Sequence, residues 1–373
     1  MSVVPTLLRS VLAVVALCAV IATEGCKPPT PPLTAQEQQT VNELTQNMQT
    51  HCLGRFLIDL PKSIRGSTQQ TVGYNHEVVI EVMGTLSLNE FNIRMGQIEA
   101  EYRAKKHSEG WPYFYSVSSP SPTIKLFERL ESENELDDSA RVIEGYKWSD
   151  DKVIKMVAKA IDVSAPKFQN DVLAKQVPTT TPQKRALLTD LLQRARSREL
   201  NDIPTEPGFC FEGGFLAGKA DKEEEIRAVF DFKKMPDVQI RWSGDSHAQL
   251  DDTLLQRPGL SELISRSNGA LLRKGVVKIP GVFEVEEWLM AGDMDQAGGK
   301  TIKGHYFKME GNSKSGNPHT PFFEVVMENG GPIESTFDAN GNYTVTPASL
   351  TEKEALALWD AVSKTIRMRP GAL

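Results

Sequence analysis

The alternation of apolar and polar positions predicts the same succession of elements twice along the 373-residue chain. In the first part, a helix over about 34–48 precedes strands at FLIDLP and HEVVIEVM. Ser87 and Glu90 form the capping box of a second helix, whose apolar residues recur at helical spacing from Phe91 to Tyr102. The remaining predicted elements are strands over 123–130, 141–148 and 153–163 and a helix over about 182–200.

The second part repeats this order. It begins with strand candidates at CFEGGFLAG, EIRAVFDF and VQIRWSG, followed by a mainly helical section over about 248–272 that is interrupted at Pro258. Strands at VFEVEEWLMAG, IKGHYFKM and PFFEVVME come next, and the dipeptide NG at 340–341 predicts a hairpin turn. Thr351 and Glu354 form a second capping box, which opens the last helix.

This repetition predicts an α+β protein made of two similar mixed domains, each an antiparallel-rich sheet with helices packed on it. The chain also exceeds the size at which a single core stops growing, which favours two domains. We place the N-terminal domain at 35–202 and the C-terminal domain at 203–373, joined near 201–207.

The start of the chain predicts export. Residues 1–25 read as a signal peptide, because the apolar run over 11–22 is too short to span a bilayer. Residues 26–34 form a proline-rich tether. Cys26 follows a glycine, as in the lipobox of bacterial lipoproteins, and is therefore the expected lipid-attachment site. Two residues of that box depart from the pattern, and cleavage near Ala22 to release a soluble periplasmic protein is the alternative.

Export determines which of the four cysteines can form a disulfide. Cys18 leaves with the signal peptide and Cys26 is assigned to lipid, so Cys52 and Cys210 remain in a compartment where thiols pair. Each of the two precedes the first strand of its half, and a disulfide between them would fix the orientation of the domains. Two buried free thiols are the alternative.

No motif predicts a cofactor or a metal ion. GGFLAGKA resembles a phosphate-binding loop but ends in Ala220, where a hydroxyl should reach magnesium, and GGKT at 298–301 lacks the first glycine. DMDQAG at 293–298 starts like a calcium loop and lacks two of its ligands. The six histidines have no metal-ligand spacing. The net charge of −7 argues against a nucleic-acid partner.

No catalytic signature is present either. The GxSxG nucleophile motif does not occur. The aromatic run WPYFY at 111–115 favours a core strand over an interface, and the acidic run DKEEE at 221–225 favours a solvated loop over a rim contact. We therefore expect a binding protein and not an enzyme.

Three segments resemble a known family. THCLGRFLIDLP after a lipoprotein-type leader, GFCFEGGFL at the domain junction and EALALWDAVSKTIRMRPGAL at the end are similar to the immunity proteins that neutralise lipase effectors of the type VI secretion system. The resemblance spans almost all of the mature chain, as an N-terminal and a C-terminal family domain.

This resemblance implies a periplasmic protein that binds a phospholipase effector. The two domains would clamp the enzyme and keep its lid from opening at a membrane. The resemblance also implies the Cys52–Cys210 disulfide and lipid attachment at Cys26. The family pattern does not identify which residues of this chain contact the effector. We expect the free protein to be a monomer. A periplasmic hydrolase with a dispersed triad and a structural or ligand-binding lipoprotein of the envelope are the rival hypotheses.

Overall fold

The computed structural model describes most of the chain from residue 32 onward. The described residues are 32–65, 69–172, 174–220, 222–279, 281–295, 301–332 and 345–373. Cys26 and the predicted turn at 340–341 lie outside the described residues.

Five α-helices are present in the described part of the chain. They are α1 (Ala35–Thr45), α2 (Leu88–Ala104), α3 (Thr181–Arg194), α4 (Leu260–Arg266) and α5 (Glu352–Ser363). The capping boxes predicted for α2 and α5 are confirmed, because in both the first side chain and the glutamate three residues later bond each other's backbone N–H. A third capping box, of Thr34 with Glu37, starts α1.

The strands form the same pattern in each half. Those of the N-terminal half are β1 (Met48–Leu53), β2 (Phe56–Pro61), β3 (Gln69–Tyr74), β4 (Val78–Thr85), β5 (Phe114–Ser121), β6 (Ile124–Leu130), β7 (Ala140–Ser149), β8 (Lys152–Ile161) and β9 (Ala195–Ser197). Those of the C-terminal half are β10 (Gly208–Phe211), β11 (Gly214–Ala217), β12 (Glu224–Phe232), β13 (Met235–Asp245), β14 (Ala270–Val277), β15 (Val285–Asp295), β16 (Thr301–Gly311), β17 (Phe322–Asn329), β18 (Gly331–Pro332), β19 (Val345–Thr346) and β20 (Arg367–Met368).

The predicted α+β fold class with antiparallel sheets is confirmed, but some elements differ. The section over 248–272 is mainly turns with one short helix, and strand β14 begins before its end. The helices predicted over 34–48 and 182–200 stop early, where the chain enters β1 and β9. CFEGGFLAG is a hairpin that turns between β10 and β11. Where β1, β9 and β14 replace predicted helix, backbone pairing with another strand (β2, β11 and β15) outweighs local propensity.

One antiparallel sheet of twelve strands runs through both halves. Its order is β14-β15-β16-β17-β13-β12-β3-β4-β8-β7-β6-β5. From the centre of the sheet toward either edge, each half contributes first a hairpin (β3–β4 or β12–β13) and then a four-stranded meander (β5–β8 or β14–β17). The halves meet where β12 pairs with β3 over Glu224–Val229 and Gln69–Tyr74. The two expected sheets are therefore joined edge to edge into one.

The halves also exchange their last strands. β9, at the end of the N-terminal half, pairs with β11 of the C-terminal half. β20, at the end of the C-terminal half, pairs with β2 of the N-terminal half. Each small sheet of three strands therefore contains strands from both halves, and neither half completes its own.

The main core lies on one face of the large sheet. It joins apolar residues of both halves with the inner faces of α3 and α5 and with the two first hairpins, as in the contact of Phe56 with Trp242 at 5.4 Å between ring centroids. Two separate smaller clusters lie under α2 and under α4. The halves consequently share one core and carry one further helix each.

Several buried polar groups tie the halves together at the exchanged strands. A disulfide joins Cys52 of β1 to Cys210 of β10, with 5.6 Å between the Cα atoms. Arg55 binds Glu224 through two nitrogens at 2.7 and 2.8 Å. Arg369 donates to the carbonyl of Gly208 at 2.6 Å. Burial, and then the charge of Arg55, lowers the pKa of Arg369 to about 10.

Replacing Cys52 and Cys210 together by alanine should lower the free energy of unfolding. The disulfide closes a loop with a sequence separation of 158 residues, for which the chain-entropy model gives at most about 5 kcal/mol. Urea denaturation of exported protein measures the loss, and the parent protein denatured under reducing conditions should show the same loss. Equal midpoints for parent and double variant would contradict this role.

Neither half should fold when it is expressed alone. Residues 35–202 lack the β20 strand that completes the β1–β2 sheet and expose the edge of β3. We expect both fragments to be insoluble or unfolded by circular dichroism, and co-expression of 35–202 with 203–373 to restore a soluble pair. A soluble, cooperatively unfolding single fragment would show that the exchanged strands are dispensable.

His51 should make stability depend on pH. The side chain is buried on β1 against Phe230, and burial, followed by the charge of Arg198, lowers its pKa to about 4. In the unfolded chain His51 therefore takes up a proton near pH 6.5, whereas in the folded protein the His51 side chain stays neutral down to about pH 4. As a result, about 3 kcal/mol of folding stability is lost as the pH falls from about 6.5 to 4. In urea titrations, His51→Phe should reduce this slope, whereas His319→Phe, at an exposed turn, should retain it.

Candidate functional site

The second face of the central sheet is open between two helices. On β6, Leu126 packs in the main core, whereas its neighbour Phe127 packs under α2. On β15, Leu289 packs in the main core, whereas Trp288 packs under α4. Because successive strand side chains point to opposite faces, α2 and α4 lie on the same side of the sheet. We call the outward surface of β4, β3, β12, β13 and β17 between these helices the open face.

The N-terminal end of the open face is an apolar groove. It lies between β4 and α2 and has a volume of about 800 Å³. Met83 and Ile93 line it and are 49% and 53% exposed. Arg94 and Glu90 lie at its border. Exposed large apolar side chains that share a groove are typical of surfaces that bind another protein.

The C-terminal end has a second groove, beside α4. Its volume is about 1150 Å³, and Leu263, which is 48% exposed, lines it together with Trp288. Arg257 lies at this border, and its Nη1 donates a hydrogen bond of 2.7 Å to Oε2 of the buried Glu310. Burial raises the pKa of Glu310 despite this partner.

The floor between the grooves is polar and carries both signs of charge. Arg241 binds Glu328 through two nitrogens at 2.8 and 2.7 Å. Lys155 pairs with Glu81 at 2.9 Å. Arg227 is exposed at the centre, on β12. An apolar groove at each end and a charged floor form a surface that suits a protein partner better than a small substrate.

The residues singled out from the sequence lie elsewhere. Cys52 and Cys210 are buried behind the sheet at the exchanged strands. Cys26 lies outside the described residues. The run WPYFY leads into the edge strand β5, and only its Tyr113 is buried. The run DKEEE is not a fully solvated loop, because Glu224 starts β12 and is buried against Arg55.

The histidines do not form one site. His107 stacks on Trp111, with 4.5 Å between ring centroids, and His305 bonds Asn329 at 2.8 Å. Within the described residues, His76 is the histidine that lies with two carboxylates, those of Glu223 and Glu225. Sequence reasoning missed this cluster, because its members come from strands that are distant in the chain and no spacing signals them.

Among the helices of the described residues, none is long and apolar enough to cross a membrane.

Two family models match this chain, one for each half. The model of the Tle cognate immunity protein 4 N-terminal domain matches residues 49–198. The model of the C-terminal domain matches residues 202–371. The protein is therefore an immunity protein by class. The chain belongs to the Tle cognate immunity protein 4 family, which confirms the resemblance drawn from the sequence.

Solved structures share the fold. The apo structure of immunity protein TplEi of the type VI secretion system from Pseudomonas aeruginosa is 23% identical, with a TM-score of 0.66 over 87% of this chain and 98% of that chain. A chain of the Tle4–Tli4 complex is 23% identical, with a TM-score of 0.68 over 88% and 99%. TplEi complexed with "L" peptide is 22% identical, with a TM-score of 0.62 over 87% and 99%. No curated protein matches the chain.

Proposed function

We propose that this protein is a periplasmic immunity protein that binds and inhibits a phospholipase effector of the type VI secretion system. Membership of the Tle cognate immunity protein 4 family supports this function. A solved structure with the same fold is a complex between Tli4 and Tle4, which supports a protein partner for this chain. The protein acts by binding and catalyses no reaction of its own.

The open face is the surface that contacts the effector. The observation that carries this assignment is that α2 and α4 stand on one side of a continuous sheet, each beside a groove with exposed apolar residues. Apolar anchors set in grooves supply most of the binding energy of protein interfaces. The charged floor supplies specificity and steering. We expect the interface to bury at least about 1,600 Å².

Inhibition follows from a preference for one state of the enzyme. A lipase whose lid is closed cannot present its active site to a membrane, and a clamp that binds only the closed form shifts the equilibrium toward it. Moving that equilibrium from mostly open to mostly closed takes a difference in binding free energy of about 5.5 kcal/mol. Packing of α2 and α4 against their own apolar clusters on one continuous sheet positions the two helices before binding, which lowers the ordering cost of association.

The periplasm and a lipid anchor complete the proposal. The disulfide between Cys52 and Cys210 is of the kind that persists in oxidising compartments. The predicted leader accounts for export, and a lipid on Cys26 would hold the inhibitor at the surface where a phospholipase must act. In the absence of a lipid, the same body would act as a soluble periplasmic inhibitor.

Charged substitutions in the two grooves should weaken effector binding. Ile93→Glu and Leu263→Glu each place a charge where an apolar contact is expected, so each should raise the Kd at least about tenfold. The double variant should lose more than either single one. The measurement is titration calorimetry with the purified cognate lipase, accompanied by an assay of phospholipid hydrolysis.

Leu136→Glu is the matched control, because Leu136 is 97% exposed and lines neither groove. It should bind and inhibit like the parent. If the double variant keeps the parent Kd, the effector contacts another surface. If the parent itself neither binds nor inhibits the lipase, and co-expression in the periplasm does not prevent lysis, the proposed function is wrong.

A further inference from the structure

One histidine and two glutamates meet at the junction of the halves. His76 lies in the turn between β3 and β4, and its Nδ1 is 2.8 Å from Oε1 of Glu225. Its Nε2 contacts Glu223, the residue before β12. A backbone hydrogen bond of 2.7 Å from Asn75 to the carbonyl of Glu223 holds the turn against that strand. One ligand atom from each of the three side chains lies within 4.8 Å of the others.

The charges at this cluster are not balanced. In the described part of the chain, Glu223 and Glu225 both pair with His76, and neither pairs with a lysine or an arginine. Asp245 lies directly opposite Glu225 on β13 and adds a third carboxylate. A cation placed here would relieve the repulsion between these carboxylates.

We infer that His76, Glu223 and Glu225 bind a divalent transition-metal ion, with Zn²⁺ as the best fit. An imidazole nitrogen together with carboxylate oxygens suits zinc and its neighbours, whereas calcium and magnesium prefer oxygen ligands alone. Bonds of about 2.0–2.2 Å bring tetrahedral ligands to about 3.4 Å from one another. The three ligand atoms, which lie within 4.8 Å of one another, would have to close by up to about 1.4 Å to reach this separation. The His76 side chain is 67% exposed, so little surrounding structure opposes this shift.

The ion would join the two halves at the end of the β3–β12 pairing. His76 belongs to the N-terminal half and both glutamates to the C-terminal half, so the unfolded chain does not hold the three ligands together. An ion that binds only the folded state stabilises it by mass action. Water completes the coordination, because three protein ligands leave a position of a tetrahedral zinc ion open.

The mature protein, treated with chelator and without an affinity tag, provides the test. Equilibrium dialysis against ZnCl₂ should give one tightly held Zn²⁺ per chain, and thermal unfolding should shift upward with zinc. The same concentrations of MgCl₂ or CaCl₂ should produce neither effect. Because binding requires deprotonated ligands, zinc affinity should fall as the pH is lowered.

Two variants with a matched control complete the design. His76→Asn keeps a residue type that tolerates the positive φ of 53° at this turn, and it should weaken zinc binding at least about tenfold. Glu223→Gln should do the same, while His319→Asn at an exposed turn should bind zinc like the parent. Absence of stoichiometric zinc, or equal binding by His76→Asn, would overturn the inference. Zinc binding needs no effector, so this result is independent of the proposed function.

Discussion

The antiparallel pairing of β3 with β12 is the constraint on which the rest of the molecule depends. It joins the first strands of the β3–β4 and β12–β13 hairpins of the two repeated units, so that their sheets continue into one of twelve strands. The exchange of β9 and β20 between the halves reinforces the pairing, and the disulfide from β1 to β10 adds a covalent link close to the exchanged strands. The two halves therefore form one rigid body around a shared core, although each carries its own copy of the strand order.

This construction determines the binding surface. The main core occupies one face of the sheet, and the smaller clusters on the other face involve α2, α4 and the segment that precedes α4. Because both helices rest on a continuous sheet, the distance between their grooves is set by the number of strands between them and not by a flexible linker. A partner protein that fills both grooves meets a preorganised surface. The shape of this surface spans both halves, so the partner is recognised by how well its own shape fits both grooves at once.

Much of the fold could be predicted from local signals. Capping boxes at Ser87 and Thr351 marked the starts of α2 and α5, and alternating residues marked most strands of the two meanders. Prediction failed over 248–272, where apolar residues at helical spacing belong partly to strand β14. It also failed at Glu224, a charged residue that is buried because Arg55 from the other half neutralises it. In both places a partner outside the local stretch decides the structure: strand β15 for β14, and Arg55 for Glu224.

The sequence by itself determined the class of fold, the repetition of two units, the family and the pair of cysteines available for bonding. These properties depend on short-range periodicity, on composition and on short characteristic segments. Only the tertiary structure decided that the sheets merge, that the last strands are exchanged, that α2 and α4 share a face and that His76 meets Glu223 and Glu225. Each of these depends on backbone pairing between distant strands, whose register no local pattern of residues encodes.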